Sequence, residues 1–342
     1  MPEQRNRTNF LRVLAIALVV NSHMDSLYPR QLAPLATGGM IGNSLFFLLS
    51  AWGLLLSIRE RPREFREWYS RRIGRIYPSV WVTVILLTFP LGLHNGSIRL
   101  GNILDEMSRF FFPPFWFLQA LMIYYVGIFF IIRNFCLRRL ALVTGPVVIV
   151  YVIYYLFLLD LTKFSIEGTP FRLIFYFLVM LSGLWLGSQH DTIKFRGLVD
   201  LVGLFLSIAC IYGHKYLMQR GMLLSWQFVQ HLAVFPMLYF FARVASSDLI
   251  TRTIMDSRYL GRFLTFLSTM TLEIFMVNNS IDALDLEVGG FPLNVVALLT
   301  LNFVLALVIF SGGRVLTRAL DSSRELDRAQ KVLVTDEQKT PV

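Results

Sequence analysis

The chain has 342 residues, of which 55% are hydrophobic and 14% aromatic, and its mean hydropathy is +0.59. Charged residues make up 16% of the chain, too few to cover a soluble domain of this length, so the composition excludes a soluble globular protein and predicts an all-α polytopic membrane protein. The net charge of +10 arises from basic residues in short segments between apolar runs, which excludes nucleic acid as the expected partner.

Apolar stretches of about 20 residues, the length that crosses the hydrocarbon layer of a bilayer, recur along the chain. We predict about ten transmembrane helices, at residues 10–28, 38–58, 76–94, 115–133, 140–160, 171–189, 197–213, 225–245, 262–281 and 292–311. If the N-terminus lies in the cytoplasm, 25 of the 32 lysine and arginine residues fall on the cytoplasmic side. Both termini are therefore predicted to be cytoplasmic, with a transmembrane domain at 1–311 and a short tail at 312–342.

The first predicted span, Asn9 to Tyr28, carries two ionisable residues, Arg12 and His23. Eleven positions of α-helix amount to three turns plus about 20°, so the two side chains should share one face, roughly 16 Å apart along the axis. Ionisable groups inside a spanning helix are costly and usually face a cavity, a partner or a reaction pathway. Alternatively, Arg12 snorkels to lipid phosphate and His23 makes one hydrogen bond between helices.

The second predicted span contains small residues, including Gly42, that allow close packing against the first span. The most basic stretch of the chain follows it. There, Arg72 and Arg75 share a helical face ahead of Pro78, and Arg71 lies beside them. Two guanidinium groups next to an irregular helical segment would bind a phosphate well, although an interfacial helix on anionic lipid headgroups has the same pattern.

Span nine contains the clearest acidic residue within a predicted membrane segment, Glu273. It lies about 16 Å from the cytoplasmic end of its helix, a depth comparable with that of His23. One hypothesis is that Glu273, or another polar group at that depth, orients the His23 imidazole. The alternative is a neutral acid hydrogen-bonded to a serine or asparagine of a neighbouring helix.

The remaining histidines and cysteines give weaker signals. No cluster with metal-ligand spacing occurs, so no metal is predicted, and Cys136 and Cys210 fit neither a metal site nor a disulfide framework. His231, early in span eight, is a weaker candidate for function. Three histidines at span ends are expected to be solvated: His94, His190 and His214.

An ordered set of short motifs runs through most of the chain. It consists of Arg12 and His23; Gly42, Phe46, Phe47 and Ser50; Arg72 and Arg75 ahead of Pro78; Trp116, Phe117 and Leu118; and the Ser-x-x-x-Leu-x-Ile-Phe pattern from Ser268 to Phe275. In this order, the set resembles the membrane-bound acyltransferase-3 family, whose members O-acylate extracytoplasmic glycans. The chain departs from the family pattern at Ala51, where many members have glycine, at Leu121 and Met122, where some subfamilies have an acidic pair, and at Asn278, where a histidine is common.

The resemblance implies an enzyme of the plasma (inner) membrane with ten spans. Such an enzyme takes an acyl group, usually acetyl, from cytoplasmic acyl-CoA and places it on a hydroxyl of a surface polysaccharide or a lipid-linked sugar. Two other classes stay open: a proton-coupled transporter or flippase of a polar or lipid-linked substrate, which would use His23 and Glu273 as a proton-carrying pair, and a non-catalytic membrane scaffold.

The residues can be assigned roles within this activity. Sugar hydroxyls are poor nucleophiles, and His23 is the expected base because an imidazole changes protonation near neutral pH. Arg12 would guide the acyl-pantetheine arm and Glu273 would orient the imidazole. The phosphates of CoA would be held by three arginines, Arg71, Arg72 and Arg75. Direct transfer is expected rather than a covalent enzyme intermediate.

Overall fold

The computed structural model describes residues 2–94, 96, 108–111, 115–134, 139–168, 170–281 and 290–337, with side chains described up to residue 322. The described residues form helices joined by turns and contain no β-strand, which confirms the all-α prediction. The chain divides into two compact units: Met1–Phe65 with Trp116–Thr271, and Arg66–Phe115 with Leu272–Val342. Cys136 lies outside the described residues.

The α-helices correspond closely to the apolar stretches of the sequence. In chain order they are α1 (Pro2–Asn21), α2 (Gly39–Glu60), α3 (Phe65–Thr83), α4 (Phe89–His94), α5 (Trp116–Asn134), α6 (Ala141–Phe157), α7 (Phe171–Ser188), α8 (Leu198–Gln219), α9 (Phe228–Val244), α10 (Leu260–Thr269), α11 (Thr271–Ile281) and α12 (Leu293–Glu337). Every predicted span coincides at least partly with one of these helices.

Six helical segments in the described part of the chain are long and apolar enough to cross a membrane. They are Ala33–Glu60, Phe65–His94, Trp116–Asn134, Phe171–Ser188, Leu198–Gln219 and Leu293–Ser322. A seventh crossing results if α10 and α11 form one broken span. The helix α6 is also apolar, but it is shorter than these six segments. The protein is therefore a multi-pass membrane protein, and the number of ten spans stays a prediction.

The first helix differs from its prediction at both ends, because it begins at Pro2 and ends at Asn21 instead of running from Asn9 to Tyr28. Asn21 is the last residue of α1, and its side-chain Nδ2 donates to the carbonyls of Leu35 at 2.7 Å and Thr37 at 2.9 Å. These bonds tie the end of α1 to the segment that precedes α2. The prediction that His23 shares a helical face with Arg12 is therefore wrong, because His23 lies beyond the helix.

Small residues allow α2 to pack closely on α1 and α7, as predicted for α1. A Cβ atom added at Gly42 would lie 2.5 Å from the carbonyl oxygen of Ala15 and 2.7 Å from Cγ2 of Val19. On the opposite side, a Cβ atom at Gly183 of α7 would overlap the backbone of Leu48. This packing fixes the start of α2 next to the end of α1, where His23 lies.

Replacing Gly42 with alanine should lower the free energy of unfolding by about 1–3 kcal/mol, because the added methyl overpacks the contact with α1. Gly53→Ala, on the same helix, is the matched control, since no atom lies within 4 Å of the Cβ that it would add. In the control, the higher helix propensity of alanine should raise stability or leave it unchanged. Unfolding in mixed micelles measures both variants, and equal stabilities would contradict the packing described.

In the second unit, α12 packs on α3 through a glycine. A Cβ atom at Gly313 would lie 2.6 Å from Oγ of Ser79. Nearer the start of α12, Nδ2 of Asn302 donates to Oδ1 of Asn278 at 3.4 Å, and both side chains are buried. Polar groups thus lie inside this unit, where membrane helices use them to pair with one another.

Candidate functional site

His23 lies in the turn that follows α1, where its backbone N–H donates to the carbonyl of Val20 at 3.2 Å. Its side chain lines a predominantly polar cavity of about 290 Å³ within the first unit, which we call the His23 cavity. The other side chains that give the cavity its chemistry are Asn43, Trp116, Glu167, Arg172, Lys215 and Gln230. His23 thus faces a cavity, as expected of an ionisable residue at the end of a membrane helix.

The charged residues of the His23 cavity are two cations and one acid. Arg172 donates from Nη1 to the backbone carbonyl of Glu167 at 3.3 Å, and its Cζ lies 4.0 Å from the centroid of the Trp116 ring. Lys215 Nζ lies 4.0 Å from Oε1 of Glu167, with both side chains about one-third exposed. The cavity therefore carries more positive than negative charge, next to an aromatic wall formed by Trp116 and Tyr176, whose ring centroids are 5.6 Å apart.

The loop that supplies Glu167 is held by one buried amide, the side chain of Gln227. Its Oε1 accepts from the backbone N–H groups of Ser165 at 3.0 Å and Ile166 at 3.4 Å, and its Nε2 donates to the carbonyl of Lys163 at 2.7 Å. Three backbone groups are satisfied in this way without secondary structure. Residues 163–166 are consequently held in place ahead of α7, whose first turn carries Arg172.

Arg12 lies in the same unit as His23, on the part of α1 that packs within the protein. Its side chain is half-buried and its guanidinium lies within electrostatic reach of the Tyr125 phenol. No carboxylate forms an ion pair with it in the part of the chain that the structure describes. The role of Arg12 in the reaction stays a prediction.

The three arginines predicted to bind phosphate lie on α3, in the second unit. Arg71 pairs with Glu67 at 2.8 Å, so part of its charge is already neutralised. Arg72 is half-buried, with its Cζ 5.8 Å from the centroid of the Trp68 ring, and Arg75 is exposed one turn further along. The spacing i, i+3 places Arg72 and Arg75 on one side of the helix, as predicted.

Glu273 is buried in the second unit, where its Oε1 accepts a hydrogen bond from Oγ of Ser79 at 2.7 Å. Its other oxygen, Oε2, has no hydrogen-bond partner among the described residues. A bond to a serine of a neighbouring helix is the contact that the second interpretation of Glu273 expected. His23 belongs to the first unit, so the predicted orienting role of Glu273 stays a prediction.

The other histidines differ in their surroundings. His214 is only 8% exposed, and neither ring nitrogen has a partner among the described residues, so the prediction that it is solvated is wrong. His231 is buried as well, with its ring 3.7 Å from that of Phe175 and its Nδ1 2.9 Å from the Tyr151 hydroxyl. These aromatic contacts account for the burial of His231 without a role in a reaction.

Most of the polar residues of the His23 cavity were not identified from the sequence. Arg172, Lys215, Glu167 and Gln230 were not singled out. The available signals were weak. Gln230 is a polar residue early in span eight, and Glu167 and Arg172 are opposite charges on the two sides of Pro170.

Comparison with known sequences adds one finding to this geometry. A family model described as an acyltransferase domain matches residues 6–311, which include the whole His23 cavity and the three arginines of α3. No curated protein and no solved structure matches the chain.

Proposed function

The chain belongs to the acyltransferase-3 family, and from this we propose that it transfers an acyl group, with acetyl as the expected one, from cytoplasmic acyl-CoA to a hydroxyl of a surface polysaccharide or lipid-linked sugar. The observation that carries the proposal is that His23 lines a polar cavity with charged and aromatic walls. Sugars are recognised by hydrogen bonds to their hydroxyls and by aromatic faces, and both are present there.

The proposed topology has ten spans in the plasma (inner) membrane, with both termini in the cytoplasm. It is supported by the excess of lysine and arginine in alternate connections. In this topology the segments that line the His23 cavity, including the turn after α1 and the loop before α7, are the outer ends of their helices. An acceptor from outside would then reach His23 without crossing the membrane.

In the proposed reaction, the His23 imidazole removes the proton of the acceptor hydroxyl as its oxygen attacks the thioester carbonyl carbon. The C–O bond forms, the C–S bond breaks, and CoA leaves as a thiolate that takes the proton from His23. Ser22, the hydroxyl next to His23, donates to the carbonyl of Val19 at 2.7 Å, so its proton is committed to the backbone. Direct transfer therefore fits the cavity better than an acyl-serine intermediate.

The cytoplasmic side of the reaction is assigned to the arginines. Arg72 and Arg75 would hold the phosphates of CoA, because guanidinium groups bind phosphate in a bidentate manner. Arg71 would reinforce them, although Glu67 already neutralises part of its charge. Arg12 would guide the acyl-pantetheine arm, and Glu273 is proposed to orient the imidazole.

Replacing Arg72 with alanine should weaken acetyl-CoA binding about ten-fold or more, because a charge-assisted hydrogen bond to phosphate would be lost. Arg72→Lys keeps the charge but loses the planar fork, so its dissociation constant should fall between the two. Titration calorimetry on the purified protein in nanodiscs measures the binding.

Arg66→Ala is the matched control for Arg72, since Arg66 is an exposed cation on a different face of the same helix. Arg66→Ala should leave the dissociation constant for acetyl-CoA within about two-fold of that of the unsubstituted protein. Equal weakening in both variants, or none in Arg72→Ala, would remove Arg72 from the donor site.

Mass spectrometry of the surface polysaccharide from cells with and without the protein tests the proposed function itself. We expect repeat units that are heavier by one acyl group only when the protein is present. Polysaccharide that is reduced in amount but unchanged in acylation when the protein is absent would instead indicate a transporter or flippase.

A further inference from the structure

Arg172 is a fixed cation whose charge is not neutralised within the described part of the chain. Its guanidinium stacks on Trp116 at 4.0 Å and donates to the backbone carbonyl of Glu167, and it forms no ion pair with a carboxylate of the described residues. Stacking on an aromatic ring and one backbone bond hold the planar group in place while leaving other N–H donors for a ligand. Such a group is suited to bind a carboxylate or a phosphate.

The single acid of the cavity compensates only one of the two cations. Glu167 lies nearest to Lys215, at 4.0 Å, which is the outer limit of an ion pair. The wall of the His23 cavity therefore keeps a net positive charge. In a partly enclosed site such a charge attracts an anion more strongly than it would in bulk water.

Two amide side chains of the same cavity have unused hydrogen-bonding capacity. Oε1 of Gln230, a residue that is 1% exposed, and Oδ1 of Asn43 are both buried and without a partner among the described residues. A buried polar atom without a partner costs free energy, so these oxygens call for donors from a ligand. Hydroxyl groups on a sugar ring supply such donors.

From these contacts we propose that the acceptor unit bound next to His23 is an anionic sugar. Its carboxylate or phosphate binds to Arg172, with Lys215 as a second cation, and its hydroxyls donate to Gln230 and Asn43. This inference rests on the proposed function and narrows its acceptor to acidic sugars. Both a uronic acid and a sugar phosphate provide the required charge, and the experiment distinguishes them.

Binding of small sugars to the purified protein in nanodiscs, without any acyl donor, tests the inference. Glucuronate and glucose share one ring and differ in the carboxylate, so glucuronate should bind about ten-fold or more tightly than glucose. Glucose 1-phosphate provides the phosphate arm, and the tighter of the two anionic sugars identifies the preferred group. Fluorescence of the tryptophans, including Trp116 of the cavity wall, gives a readout that requires no catalysis.

Arg172→Gln should remove most of the preference for the anionic sugars, because it lowers their affinity by a much larger factor than the affinity for glucose. Arg220→Gln is the matched control, because Arg220 is another arginine stacked on an aromatic ring, 4.6 Å from Tyr216, and it does not line the cavity. Lys215→Gln provides a second variant, in case Arg172→Gln does not fold. It should reduce the preference by a smaller factor.

Equal affinities for glucuronate, glucose and glucose 1-phosphate would overturn the inference, as would a preference that survives both substitutions. These failures are separable from failure of the proposed function. If a neutral acceptor were acylated at the same rate as an acidic one, only the inference that the acceptor is anionic would be overturned. Arg172-dependent binding of an anionic sugar by a protein that never transfers an acyl group would support the anion site and overturn the proposed reaction.

Discussion

Replacing His23 with alanine should lower the rate of acyl transfer about 100-fold to 10,000-fold, the range associated with loss of a general base. The physical reason is that the acceptor hydroxyl would have to lose its proton to water within a cavity of about 290 Å³. Release of the CoA thiol under single-turnover conditions measures the chemical step. Binding of acetyl-CoA should stay unchanged, because the phosphate site is assigned to the arginines of α3.

His190→Ala is the control for removal of an imidazole. His190 lies past the other end of α7, where its Nδ1 contacts the carbonyl of Gly187 and its Nε2 lies 3.2 Å from Asp191. It does not line the His23 cavity, so its loss should leave the rate within about two-fold. Normal transfer by the His23 variant would show that another group acts as the base.

Replacing Arg243 with methionine should lower the free energy of unfolding by about 3–5 kcal/mol, because it leaves a buried carboxylate without its partner. Arg243 Nε donates to Oδ1 of Asp200 at 2.6 Å, and the two side chains are 3% and 1% exposed. Arg243 also donates to the Tyr239 hydroxyl at 3.1 Å. The pair joins α8 to α9. Unfolding of the purified protein in mixed micelles measures the resulting decrease in the free energy of unfolding.

The exposed ion pair between Arg252 and Glu3, at 3.2 Å, provides the comparison. Arg252→Met should cost at most about 1 kcal/mol, since exposed pairs contribute little. The double variant with Asp200→Leu and Arg243→Met should recover much of the lost stability, because it removes the buried charge that the single variant leaves behind. Similar losses for the buried and the exposed pair would contradict this account.

The helices could be predicted from the sequence because the length and apolarity of a span are local properties. Close packing of α2 against α1 could likewise be predicted, because Gly42 is a small residue within an apolar span. The end of α1 was predicted at Tyr28 because a span of about 20 residues was counted from Asn9. The helix itself begins at Pro2, and the residues that follow Asn21 are mostly polar (SHMDS).

The site could be predicted only where a residue type was unusual for its position. His23 stood out because an imidazole is rare in an apolar helix. Arg172, Lys215 and Gln230 did not, because polar residues near span ends are ordinary and only the tertiary fold brings these three together around one cavity. A hydrogen bond from Glu273 to a serine or asparagine was anticipated. Which serine it is could not be predicted, because Ser79 lies 194 positions away in the sequence.

Transfer across sealed proteoliposomes tests the central claim most directly. Radiolabelled acetyl-CoA is supplied on one side of the membrane, and polysaccharide from cells that lack the protein is supplied only on the other. The account predicts labelled polysaccharide on the side opposite the donor, formed at least about 100-fold more slowly with His23→Ala. Label that appears only when donor and polysaccharide share one side would contradict it.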